Sequence, residues 1–188
     1  MIAAAAMAAM LLAAPAAPAA PATLTPEALQ ARHAGARSLT AEVVQTKEGR
    51  YWARPLTSHV RLRWTPARVE WETLDPVPST VVIEGDRVQV LSGGAARDLG
   101  AQARDPRFAA LVRFLRALAA FDLPALEGDF VLAWGPREVV ATPRAGSSLS
   151  MVKKVRLVFG DDLEVRRIEL ESPSETTRLE FQRVERVR

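Results

Sequence analysis

The chain has 188 residues, 25 Lys and Arg against 22 Asp and Glu, a formal net charge of +3 and no cysteine. That length suits one domain with a substantial core, and the missing cysteine excludes disulfides, thiolate nucleophiles, thiolate metal sites and a lipid-modified cysteine. Acids and bases are interleaved, which reads as a solvated surface and not as a nucleic-acid footprint.

No charged side chain occurs in residues 1–22. Ile2–Ala14 is an apolar run, Ala-Pro repeats follow, and Ala20-Pro21-Ala22 is a small-residue site before Thr23. The pattern predicts a signal peptide over 1–22 and a single domain over 23–188. No Lys or Arg precedes the apolar run, so the α-amino group or an upstream start supplies the positive charge. A structureless Ala/Pro tail is the competing reading.

Thr25-Pro26-Glu27 opens a short helix, with Thr25 as N-cap, and Gly35 stops it. Leu39–Thr46 alternates as a strand. Lys47-Glu48-Gly49 is expected to turn it into a second strand ending in Trp52-Ala53-Arg54-Pro55, with Arg54 in phase with Trp52 and so on the apolar side. Val60–Trp64 and Val69–Trp71 alternate apolar with charged residues across a Thr65–Arg68 turn, which puts Leu62, Trp64, Val69 and Trp71 on one face. Thr80–Ile83 and Val88–Leu91 flank a hairpin turn at Glu84–Arg87. Then the period changes. Asp105-Pro106 starts a helix with Phe108, Leu111, Val112, Leu115, Leu118 and Ala119 on one stripe, Phe114 and Phe121 on its shoulder, and Arg113 and Arg116 opposite. Strands resume at Phe130–Trp134, Val139–Thr142, Val155–Phe159, Leu163–Leu170 and Thr177–Gln182, with a bulge near Arg166-Arg167. The outer faces carry both charge signs and suit weak cross-strand ion pairs. The sum is about eleven antiparallel strands with two helices.

Catalytic and metal patterns are missing from this sequence. His33 and His59 are far apart, lie at no metal-ligand spacing and are expected on the surface. Ser147-Ser148 has no histidine nearby, and Gly93-Gly94 lacks a phosphate-loop pattern. The sequence therefore predicts no enzyme, no metal site and no cofactor. What it offers is apolar surface: Trp52, Trp64, Trp71, Phe130, Trp134, Phe159 and Phe181 recur on the inward phase. With Leu62, Val69, Val88, Val90, Leu132, Leu157 and Leu179 they form a candidate lining, because two helices leave much of one sheet face to cover.

The order of marks resembles the periplasmic lipoprotein carriers, LolA and its relatives. The marks are the apolar leader, a short helix, a strand ending Gln45-Thr46, Arg54-Pro55 after aromatic residues, a strand ending at Trp64, the Ile83–Val88 hairpin, the helix after the sixth strand, and Thr142-Pro143. The resemblance implies a mainly β fold: one curved antiparallel sheet forming an unclosed barrel, with a helical lid of Phe108, Leu111, Val112, Leu115, Leu118 and Phe121. It implies that Arg54 latches the lid, and that a monomer in the periplasm carries acylated lipoprotein or another lipid from an inner-membrane release complex to an outer-membrane acceptor. Two features depart from the family: a short hairpin before Trp52, and no extra segment after the Phe181 strand. The other class left open is a non-transport periplasmic module that binds a protein or an envelope polymer on its curved sheet.

Overall fold

The computed structural model describes residues 23–99, 105–149 and 151–188. The expected signal peptide and its cleavage site lie outside the described residues. Helix α1 (Pro26–His33) begins where Thr25 accepts the Ala28 N–H at 3.1 Å, and it buries one residue, Leu29. The strands are β1 (Ser38–Gly49), β2 (Leu56–Trp64), β3 (Arg68–Asp75), β4 (Ser79–Glu84), β5 (Arg87–Ser92) and β6 (Ala95–Asp98), then β7 (Phe130–Trp134), β8 (Glu138–Pro143), β9 (Lys154–Phe159), β10 (Val165–Glu171) and β11 (Glu175–Val187). Helix α2 (Pro106–Ala120) joins β6 to β7.

All eleven strands form one antiparallel sheet in the order β6-β5-β4-β3-β2-β1-β11-β10-β9-β8-β7. Two meanders, β1–β6 and β7–β11, are thus welded by the long β1–β11 pair, which runs from Ser38↔Val187 to Gly49↔Glu175. Strands β6 and β7 lie at the two edges and do not pair with each other among the described residues, so the barrel is not closed. Successive turns alternate between two rims. One rim carries the β1–β2, β3–β4, β5–β6, β8–β9 and β10–β11 connections. The other carries β2–β3, β4–β5, β7–β8 and β9–β10, and α1 sits beside it through Arg32, which reaches the β9–β10 turn at the Asp162 carbonyl.

The outer face pairs charges in register: Arg61 opposite Glu72, Arg63 opposite Glu70, Arg68 opposite Glu84, and Glu169 opposite Arg178. Each pair is largely solvated and contributes little by itself, but a one-residue slip would break all of them and turn the apolar face outward.

Two strand expectations are corrected. Lys47-Glu48-Gly49 is not a turn: β1 continues through it, with Lys47 paired to both β2 and β11 and Glu48 and Gly49 paired to β11, whose hydrogen-bond partners outweigh its polar composition. Residues 50–55 therefore form the β1–β2 connection, and no strand carries Trp52 and Arg54. Gly49 is required at this crowded junction, since a Cβ there would lie 2.3 Å from the Ser174 carbonyl oxygen. The missing strand is replaced by β6. Its four residues are all exposed, so no alternation announces it. The signal was Gly93-Gly94, both with positive φ (58° and 79°), which is the requirement of a two-residue hairpin turn.

Helix α2 starts where Asp105 accepts the Arg107 N–H at 2.8 Å, with Pro106 in the first turn. Phe121 caps its far end in the left-handed region, φ 54°. Phe114 is not on the shoulder of the apolar stripe; it is 2% exposed and stacks on Phe130 at 5.3 Å. That contact packs α2 against β7, while the neighbouring Leu115 is 37% exposed.

Candidate functional site

The concave side of the sheet is divided. Over β7–β9 it is packed solid: Phe130, Val139, Leu149, Val155 and Leu157 are all 0% exposed. Over β1–β4 and β10–β11 it is not. There, a cavity of about 290 Å³ lies beneath α2. Leu115, Leu118 and Ala119 roof it, and Leu62, Val69, Trp71, Val81, Ile83, Ile168, Leu170, Leu179 and Phe181 wall it. Strands β4 and β10 are five strand spacings apart in the sheet order. Flat, they would stand roughly 24 Å from one another. Because both line one small space, the sheet curls around it.

The cavity has a closed end and a mouth. Leu62, Val69, Ile83, Leu118, Ile168, Leu179 and Phe181 are buried, whereas Trp71, Val81 and Leu170 are half-buried and lie toward the first rim. Its polar lining, Gln45, Lys47 and Thr177, is at that same side. Lys47 forms no ion pair with any described residue, so its ammonium is free to meet an anionic group at the entrance.

Of the residues expected to line a cavity or cover it, the structure gathers Leu62, Val69, Trp71, Leu115, Leu118, Leu179 and Phe181. Phe130, Leu157 and Phe159 belong instead to the packed half, with Leu132 partly buried against it. Trp64 and Trp134 are half-buried and border outer grooves. Val88 is core, and Val90 is half-buried outside the cavity. Phe108, Leu111 and Val112 pack on the core without touching the cavity, and Phe121 closes α2 against α1. Trp52 is 37% exposed, and its indole N–H donates to Glu175 Oε2 at 2.6 Å, outside the cavity. Ala119, placed on the apolar stripe of the helix, also lines the cavity; residues that sequence reasoning missed are Gln45, Lys47, Val81, Ile83, Ile168, Leu170 and Thr177. The phase of β1 runs unbroken from Leu39 through Gln45 to Lys47, but polar side chains at an entrance look like outward ones.

Arg54 is corrected too. It lies exposed in the β1–β2 connection and has no hydrogen bond or ion pair to a described residue. The arginine that ties helix to sheet is Arg116 of α2, whose guanidinium donates to the Gly85 carbonyl at 3.0 Å and to the Pro66 carbonyl at 3.4 Å. It thereby spans the β4–β5 and β2–β3 turns at the closed rim.

A buried charge cluster fixes that rim. Glu164 accepts both Arg186 guanidinium nitrogens, at 2.6 and 3.1 Å, and is also bound by Arg32 of α1. Arg186 and Glu164 side chains are only 7% and 9% exposed. Beside them His33, expected on the surface, stacks on Phe121 at 5.1 Å, and Phe121 meets the edge of Phe181 at 6.1 Å. The His33 Nε2 is buried without a partner. Burial and then the neighbouring Arg186 charge lower its pKa from 6.5 to about 4. Above pH 6.5 both folded and unfolded chains hold a neutral ring; as pH falls toward 4, only the unfolded chain takes up the proton, so stability falls. The full shift would amount to roughly 3 kcal/mol, and partial solvent access reduces this to roughly 1–2 kcal/mol. Urea titrations at pH 7 and pH 4.5 should show this loss, and His33→Phe should remove it.

Among the described residues no group of three or more His, Cys, Asp or Glu could hold a metal ion, and no helix is long and apolar enough to cross a membrane. The geometry defines a class: an unclosed antiparallel barrel with a helix laid over an apolar space. No family model and no curated protein matches the chain. Among solved structures it is similar to a LolA superfamily protein from Nitrosomonas europaea, at 10% identity, with 88% of this chain and 94% of that one covered and a TM-score of 0.43. It is similar to a DUF1329 family protein from Desulfovibrio piger, at 10% identity, 86% and 91% coverage and TM-score 0.47. It is also similar to the lipoprotein LppX of Mycobacterium tuberculosis, at 14% identity, 83% and 90% coverage and TM-score 0.44.

Proposed function

We propose that this protein is a carrier of the cell envelope that shelters an acyl chain, of a lipoprotein or a related lipid, and moves it across the periplasm. The observation that carries this reading is the apolar cavity under α2, closed at one rim and polar at its mouth. A volume of about 290 Å³ is near the lower edge of ligand pockets, about 300 Å³. It equals roughly ten waters in liquid volume, and a methylene is of similar size. Ten methylenes at about 0.8 kcal/mol each contribute roughly 8 kcal/mol before the loss of ligand freedom. A load bound at that strength is releasable. The space therefore suits part of one chain, with an anionic head beside Lys47, and deeper uptake requires α2 to lift.

Titration with a fluorescent fatty acid tests this directly. Saturable binding that unlabelled fatty acid competes away supports the carrier, whereas no saturable binding favours the envelope-binding module. Arg116 holds α2 down in this account. Arg116→Ala should speed probe release several-fold in stopped-flow displacement, while Arg54→Leu should leave the rate unchanged. The reverse ranking would restore the latch to position 54.

A further inference from the structure

Nine large hydrophobic residues are exposed among those described, and seven of them lie at the rim where the cavity opens. Tyr51 and Trp52 are in the β1–β2 connection, Val77 in the β3–β4 turn and Met151 before β9. Leu74, Leu91 and Val131 each sit one residue inside a strand end at the same rim. Chance placement on a sheet with two rims would not gather them. Tyr51 and Val77 are 67% and 68% exposed, so this is apolar area the fold leaves uncovered.

Its charge is arranged in a consistent way. The β1–β2, β3–β4, β5–β6 and β10–β11 connections surround the mouth and contain two cations, Arg50 and Arg54, and no carboxylate. Carboxylates just behind them are held: Asp75 by His59 at 2.9 Å, Glu171 by Lys154 at 2.7 Å, and Glu175 by the Trp52 indole at 2.6 Å. Arg50 lies over the Tyr51 ring, 5.0 Å from its centroid, and donates to its hydroxyl. At the opposite rim, the β4–β5 and β9–β10 turns carry Asp86, Asp161, Asp162 and Glu164, of which Asp161, Asp162 and Glu164 are ion-paired with Arg137, Arg166 and Arg186.

From this gathering of exposed apolar side chains with Arg50 and Arg54 among them we infer that the mouth rim is a membrane-docking surface: the 50–55 connection seats on an anionic bilayer, with Tyr51 and Trp52 at headgroup depth and Arg50 and Arg54 against lipid phosphates. Tyrosine and tryptophan present an apolar body and a polar tip, which suits that boundary. Basic side chains next to them add attraction to anionic lipid. The mouth of the cavity then faces the bilayer, so an acyl chain passes between them without crossing water. The inference uses the carrier reading only for that last step; the docking itself rests on the rim.

The chain has no cysteine, so a single introduced thiol gives a unique label. Ala53→Cys and Asp86→Cys, both exposed and at opposite rims, are made in the full chain and labelled with a polarity-sensitive dye. On vesicles of phosphatidylcholine with phosphatidylglycerol, the dye at position 53 should shift to the blue and be quenched by brominated acyl chains, and the dye at position 86 should not. Tyr51→Ser with Trp52→Ser, and separately Arg50→Glu with Arg54→Glu, should raise the lipid concentration needed for the shift on the order of tenfold. No shift at 53, or equal shifts at both rims, overturns the docking surface. Fluorescent fatty-acid binding should persist in the Tyr51/Trp52 and Arg50/Arg54 variants, whose substituted residues lie outside the cavity; if the otherwise unaltered chain binds fatty acid but shows no shift at position 53, the rim inference falls and the cavity stands.

Discussion

Glu164→Ala should lower the free energy of unfolding by about 3–5 kcal/mol, as expected when one partner of a buried ion pair is removed. The Arg186 guanidinium is as buried as Glu164 and is held by it through two hydrogen bonds. Without the carboxylate it is left as a desolvated, uncompensated cation, and Arg32 loses one of the two bonds that tie α1 to the β9–β10 turn, keeping the one to the Asp162 carbonyl. Urea-induced unfolding followed by fluorescence measures the change. The double variant Glu164→Leu with Arg186→Met should recover most of it, because removing both charges also removes both desolvation penalties. If the single alanine variant loses less than about 1 kcal/mol, a value typical of solvated pairs, the cluster does not hold the closed rim.

The second large effect concerns the cavity. Ala119→Trp should weaken fatty-acid binding on the order of a hundredfold, because the Ala119 methyl is part of the roof and an indole projecting from it occupies the space a ligand would fill. Overpacking is the competing effect, so Val81→Trp approaches the same space from the opposite wall. Two folded variants with lost binding locate the ligand between α2 and the sheet. Folded variants that bind as well as the parent would place it elsewhere.

The alternating strands, both helix starts and the paired outer charges could be read from the sequence because each follows from local periodicity or a capping residue. Thr25 and Asp105 accept the N–H groups expected of them. What could not be read depends on partners remote in sequence. The polar end of β1 is a strand only because β2 and β11 flank it, and β6 has neither alternation nor burial. Aromatic residues divided three ways on criteria that phase does not contain: Trp71 went to the cavity, Phe130 to solid core, and Trp52 to solvent. Arg54 shared a phase with Trp52 on paper, but both fell in a connection once β1 extended to Gly49. Nothing local to Glu164 or Arg186 marks them for burial, which arises only where β11, β10 and α1 converge. The mouth was hidden for a related reason: Gln45 and Lys47 continue the inward phase with polar atoms, which a search for apolar lining passes over.

Native mass spectrometry of the protein titrated with palmitate tests the central claim most directly. A population with one fatty acid bound is expected, saturating with concentration and absent from Ala119→Trp. Failure to detect any bound chain, or binding unaltered in the filled variant, would contradict a sheltering cavity beneath α2.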